Sequence, residues 1–339
     1  MGFVLTQAEM DQYLSDLASD YRIFAPRRYP GDGIYSDTDI IRYGEVSSVS
    51  EIEFEEKSLY SFKEVLLPVI ETLFYFTEDK VTLADAPQKG AVVFMRSCDI
   101  HGLKALDAMY LDNGPEDYYY KRLREKIKII LIGCPHSYEN CFCVSMGTSE
   151  TSDYDLSVDS KDGAFHVDCQ NVLWQNRLLE DGIPQQAVTP EFVSENAVTV
   201  KIPENLDARV AGSALWNDYD SRCIACGRCN FVCPTCTCFT MQDMPYTENG
   251  KAGERRRVWA SCMVDGFTDV AGGGSYRQKN GQRMRFKVLH KVLDFKAKHG
   301  FQMCVGCGRC DDVCPEYISF SHGINGLEQA MKEVSSNEE

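Results

Sequence analysis

The chain has 339 residues, enough for two or three domains, and its 44% hydrophobic and 25% charged residues are ordinary for a globular protein. Lys and Arg total 35 against 51 Asp and Glu, a formal charge of −16 that excludes nucleic acid or an anionic membrane as the main partner, since both need a positive face. No stretch approaches the roughly 18 apolar residues a bilayer span needs, and no basic-then-apolar segment marks a signal peptide.

Thr6-x-x-Glu9 fits a capping box that opens a helix through about Leu17. Lys63 to Phe76 is an apolar-rich helix candidate interrupted by Pro68. Ala91 to Met95 is a short apolar run and predicts a buried strand. Asp99 to Leu111 has helical spacing through Ile100, Leu103 and Leu106. Tyr118 to Lys126 predicts a charged helix, and Lys128 to Ile132 a second buried strand ending at Gly133. Strand, helix, strand in that order predicts a parallel pairing. From Ser145 to about Ser213 the chain is polar and turn-rich, with strand-like pieces at Ala164 to Val167 and Ala197 to Ile202. Composition shifts near Gly212, after which the chain is Cys-rich and less strand-like; a last helix is expected over Leu327 to Val334. The expected fold class is α+β. An N-terminal α/β domain, residues 1–212, precedes a mostly helical, dicluster ferredoxin-like domain, residues 213–339, with a basic insert at about 240–300.

Sixteen cysteines in a chain without an export signal point to metal or redox chemistry rather than disulfides. Eight of them form two copies of one motif. The first is Cys223-x2-Cys226-x2-Cys229-x3-Cys233-Pro234; the second is Cys304-x2-Cys307-x2-Cys310-x3-Cys314-Pro315. A tight C-x2-C-x2-C loop wraps three corners of an iron–sulfur cubane, and the fourth Cys reaches the other cluster. The pattern therefore predicts two [4Fe–4S] clusters with exchanged ligands. Cluster A takes Cys223, Cys226, Cys229 and Cys314; cluster B takes Cys304, Cys307, Cys310 and Cys233. Gly227 and Gly308 follow the second Cys of each copy, where a residue free to take positive φ is useful. A pair of zinc sites would leave the third Cys and the Cys-Pro unexplained.

Cys98 and Cys134 each follow a predicted strand, so both belong at the carboxyl edge of a parallel sheet, where α/β proteins bind ligands. Cys141 and Cys143 come soon after. The four thiols suffice for a third [4Fe–4S] cluster; the alternative is four separate buried cysteines. Cys236, Cys238 and Cys262 either hold another metal with His290 or pack around the clusters and shield them, and Cys169 reads as structural. Residues 251–298 hold twelve Lys or Arg against four Asp or Glu, a local +8. That insert suits cations near negatively charged clusters, a solvated helix face, or a docking patch for an acidic or flavin-bearing partner.

With these residues laid out, the chain resembles the dicluster iron–sulfur subunit of the anaerobic sulfite reductases and, in the same dicluster group, the beta subunit of sulfhydrogenases. The resemblance rests on Arg96-Ser97-Cys98-Asp99, Gly133-Cys134 with Cys141-Phe142-Cys143, Cys233-Pro234-Thr235-Cys236, Trp259-Ala260-Ser261-Cys262, His290-Lys291 and the second cysteine motif. It implies a cytoplasmic, non-catalytic relay in a three-subunit complex. Electrons would come from a flavin subunit that takes them from NADH, and go to a siroheme subunit that reduces sulfite to sulfide. The alternatives are the same relay in a sulfhydrogenase and a structural or sensing iron–sulfur protein.

Overall fold

The computed structural model describes residues 1–33 and 37–336 and divides into two compact units. The first comprises Met1–Pro68, Ala84–Tyr138 and Thr148–Glu195. The second comprises Val69–Leu83, Glu139–Gly147 and Asn196–Glu339. The sequence suggests one cut near residue 212; here the second unit starts at Asn196 and gathers two earlier segments.

The first unit is built on an eight-stranded sheet in the order Gln185–Gln186, Gly2–Leu5, Ala164–Cys169, Leu156–Lys161, Ile127–Ile132, Gly90–Met95, Tyr21–Tyr29, Ile40–Glu45. Its four central pairing partners, from Leu156–Lys161 to Tyr21–Tyr29, run parallel, as the strand–helix–strand order predicts. Val92, Val93, Phe94 and Met95 are all fully buried, without alternation, because a parallel strand is covered on both faces. Val92, Phe94, Ile130 and Ile132 join one core with Met10, Tyr13, Leu14 and Leu17. Those last four residues form the apolar stripe of the Gln7–Leu17 helix, and Thr6 with Glu9 closes its capping box as expected. The helix after the first apolar strand spans Ser97–Tyr110, and the charged helix spans Tyr118–Arg124.

Two expectations fail. Lys63 to Phe76 is a one-turn helix, Lys63–Leu66, followed by a strand, Ile70–Phe76. Pro68 stops the helix, and Ile70–Phe76 finds its partner in Gly253–Trp259, about 180 residues later. Ala197 to Ile202 is not a strand; Val200 donates instead to the Ser145 hydroxyl and Lys201 to the Asn325 side chain. The Leu156–Lys161 strand has no counterpart among the sequence-based expectations.

The second unit combines short helices with a four-stranded sheet, Phe239–Pro245, Gly253–Trp259, Ile70–Phe76 and Val81–Leu83. Its helix Asn280–Leu289 passes through a π-helical turn, His290–Asp294, into Phe295–His299. The core contains Trp216, Tyr219, Met284, Val288, Ile324 and Leu327. Among the described residues no helix is long and apolar enough to cross a membrane.

Candidate metal centre

Both cysteine motifs adopt the same backbone. In the first, Ala225 and Gly227 flank Cys226 at φ of 54° and 76°; in the second, Gly306 and Gly308 flank Cys307 at 65° and 70°. These left-handed residues turn each loop back on itself, so that successive thiols face a common centre. One-turn helices, Arg228–Phe231 and Arg309–Asp312, then carry the third Cys of each motif. Gly306 is needed for space as well. A Cβ there would stand 2.6 Å from the Phe142 carbonyl carbon and 2.7 Å from the Cys143 nitrogen. The Phe142 amide in fact donates to the Gly306 carbonyl at 2.8 Å. Gly306→Ala should therefore cost about 1–3 kcal/mol of stability and lower the iron content. Ala225→Gly, at the equivalent place, should be nearly neutral. Thermal melts with iron assays on both variants check this.

The thiols ring two cavities. One, of about 490 Å³, is lined by Cys223, Cys226, Cys229 and Cys314, with Met263, Met284 and Ile318 among its apolar walls. The other, of about 350 Å³, is lined by Cys233, Cys304, Cys307 and Cys310. The fourth Cys of each motif thus lies at the cavity of the other motif, the exchange that the spacing predicts. Among the described residues no three His, Cys, Asp or Glu side chains stand close enough for a single metal ion. A cubane fits the donors present: at least four thiols per cavity, mostly apolar walls and loops shaped by left-handed residues.

The two cavities differ in exposure. Cys226 is exposed, as are Ile224 two residues before it and Tyr317 three residues after Cys314, whereas Cys304 and Cys307 are buried. Burial pushes the Cys304 thiol up to about 12 and Cys310 well above the ordinary value, so both are neutral thiols until metal displaces their protons.

The basic insert splits into two parts. Arg255, Arg256 and Arg257 lie on the Gly253–Trp259 strand and pair with Asp243, Glu254 and Glu71. Lys287 and Lys291, one helical turn apart, are instead buried at the cavities, only 4% and 3% exposed. Lys287 lines both cavities and hydrogen-bonds Cys229; Lys291 lines the second and donates to Thr235 Oγ1 at 2.7 Å. Burial opposes the charge on both. Once ionised, Cys229, Cys310 and Cys236 around Lys287, and Cys233, Cys236 and Cys304 around Lys291, outweigh it and hold each lysine well above its usual value. Spacing does not single out these two lysines within the basic window.

Cys98 and Cys134 sit beyond the carboxyl ends of adjacent parallel strands, as expected. Arg96 ties those ends together from a buried position. It donates to the Gly133 carbonyl at 3.0 Å and the Phe54 carbonyl at 2.6 Å. Arg96→Leu leaves both carbonyls without that donor and should cost about 3 kcal/mol, read as a lower denaturant midpoint. Cys141 and Cys143 belong to the other unit. There Cys141 donates to the Cys307 carbonyl at 3.5 Å, and Cys143 lies 3.7 Å from Asn196 Oδ1. Cys169 is buried in the sheet core of the first unit. His290 stacks on Phe286; burial and the charges of Lys291 and Arg277 pull it down to about 4, so it is neutral. Cys236 hydrogen-bonds Cys233, and Cys238 hydrogen-bonds Cys262.

Two cysteine-ringed cavities built by a repeated cluster motif define the class as an iron–sulfur dicluster protein. A family model described as a 4Fe-4S dicluster domain matches residues 222–318. The chain is 30% identical over 349 residues to sulfhydrogenase 2 subunit beta of Pyrococcus furiosus, a match covering 98% of this chain and all of that protein. The chain therefore belongs to the sulfhydrogenase beta-subunit family. No solved structure matches it.

Proposed function

We propose that this chain is the electron-relay subunit of a hydrogenase complex of the sulfhydrogenase kind. The observation that carries the reading is the pair of adjacent cavities, ringed by five and four cysteines and sharing Cys310, Lys287 and Phe320 along their walls. When bound, each [4Fe–4S] cluster supplies a site that takes up and releases one electron. The chain's own residues hold that chemistry in place. The eight thiols fix two positions side by side, Lys287 and Lys291 offset the negative charge, and Met263, Met284, Ile318 and Phe320 limit water. Cys226 and Ile224 leave the first position open toward solvent, where a redox partner would exchange electrons.

The whole-chain likeness to a sulfhydrogenase subunit favours that complex over sulfite reduction. Anaerobic purification with partners decides between them. A nickel–iron subunit retained with this chain supports the proposal; a siroheme subunit moves the relay to sulfite reduction and a flavin donor. The same sample should carry about eight irons per chain for two clusters, and about twelve if Cys98, Cys134, Cys141 and Cys143 serve a third. Clusters that refuse reversible reduction would overturn the relay in either setting.

A further inference from the structure

Cys238 and Cys262 line neither cavity, yet they are placed as a pair. Cys238 immediately precedes the Phe239–Pro245 strand, and Cys262 lies three residues beyond Gly253–Trp259. Those strands are antiparallel partners with Phe239 opposite Trp259, and the Ala260 amide donates to the Cys238 carbonyl at 2.9 Å. The pairing brings the two sulfurs into hydrogen-bond contact, and the Cys262 amide also donates to the Cys238 sulfur. These bonds pull Cys238 below the ordinary thiol value, while the same contact and burial push Cys262 well above it. Two sulfurs in contact at the end of a strand pair are placed to close one sulfur–sulfur bond.

A second feature connects this pair to the first cavity. Asn230, only 1% exposed, donates from Nδ2 to Cys262 Sγ at 3.1 Å, and its Oδ1 lies 3.9 Å from Cys229 Sγ. One buried amide thus spans from the thiol pair to a wall of the cavity. Lys287 hydrogen-bonds Cys229 and its charge also acts on Cys262.

We propose that Cys238 and Cys262 form a redox-active dithiol that exchanges two electrons with the iron–sulfur pair by way of Asn230 and Cys229. In the oxidising direction the sulfur–sulfur bond forms, the two thiol protons leave to solvent, and the two electrons pass singly, one to each [4Fe–4S] cluster. In the reverse direction two electrons and two protons cleave the disulfide. The protein then holds a two-electron store beside two one-electron carriers. This proposal rests on the cluster reading above.

The test uses the full-length, anaerobically prepared protein with its iron counted first, so that failure of the cluster reading shows separately. Samples are equilibrated in dithiothreitol buffers of stepped oxidised-to-reduced ratio, quenched in acid, alkylated and mapped by mass spectrometry. A peptide pair linked through Cys238 and Cys262 should rise from absent to dominant, with the slope of a two-electron couple. Coulometric reduction of the oxidised protein should take two more electrons per chain than the Cys262→Ser variant at equal iron content. If that variant fails to fold, Cys238→Ser serves in its place, and the mapping needs no variant. Alkylation of both thiols at every ratio in iron-replete protein would overturn the proposal, as would linkage to Cys236 instead or equal electron uptake by wild type and variant.

Discussion

Cys314→Ala should remove the cluster nearest the surface, although Cys314 belongs to the second motif. Cys233→Ala should remove the buried cluster, although it belongs to the first. The expectation comes from the walls of the two cavities. Cys314 stands with Cys223, Cys226 and Cys229, and Cys233 stands with Cys304, Cys307 and Cys310. Each substitution takes one of four thiolates and should lower the iron content by about four per chain. Exposure tells the two losses apart. Cys226 is open to solvent, whereas Cys304 and Cys307 are buried, so an iron chelator should strip wild-type protein in a fast and a slow phase of similar size. Cys314→Ala should lose the fast phase and Cys233→Ala the slow one. If each variant instead lost the phase of its own motif, ligation would be local and the exchange wrong. The effect is large because a three-thiolate site also leaves neighbouring thiols, such as Cys304 and Cys310, buried without the metal that displaces their protons.

Spacing carries the cysteine ring because cluster ligands are local in sequence. Three thiols sit within seven residues, and a left-handed residue beside the second Cys completes the turn. The core strand Gly90–Met95 was legible for a similar reason, since burial on both faces writes an unbroken apolar run. What failed depends on distant partners. Ile70–Phe76 shows no period-two alternation, and only pairing with Gly253–Trp259 makes it a strand. Leu156–Lys161 does alternate, Leu156 and Val158 with Ser157 and Asp159, but all four are buried. The contact of the Phe142 amide with the Gly306 carbonyl, far along the chain, gave no signal either. Asn230 gave no sequence signal, because its importance is a contact with Cys262, thirty-two residues away.

Replacing Lys287 by Met should lower the midpoint potentials of both clusters, and replacing Lys291 by Met should lower chiefly that of the buried one. Adding an electron to a thiolate-ligated cluster adds negative charge where the charge is already negative, so a nearby cation favours the reduced form. Lys287 lines both cavities and Lys291 the second alone. At an effective dielectric of about 20, unit charges about 7 Å apart interact by about 2 kcal/mol. For a one-electron couple that is a negative shift of about 100 mV. Methionine keeps much of the stem volume, so packing against Phe320 changes less than charge does. Lys291→Met also strips a donor from Thr235 Oγ1, which lies 3.4 Å from Cys233 Sγ; this adds to its effect on the second cavity. Lys291→Arg, which keeps the charge, separates the two contributions. Redox titration followed by electron paramagnetic resonance reads both midpoints. Unchanged midpoints in Lys287→Met at full iron content would mean that water, rather than this cation, offsets the cluster charge.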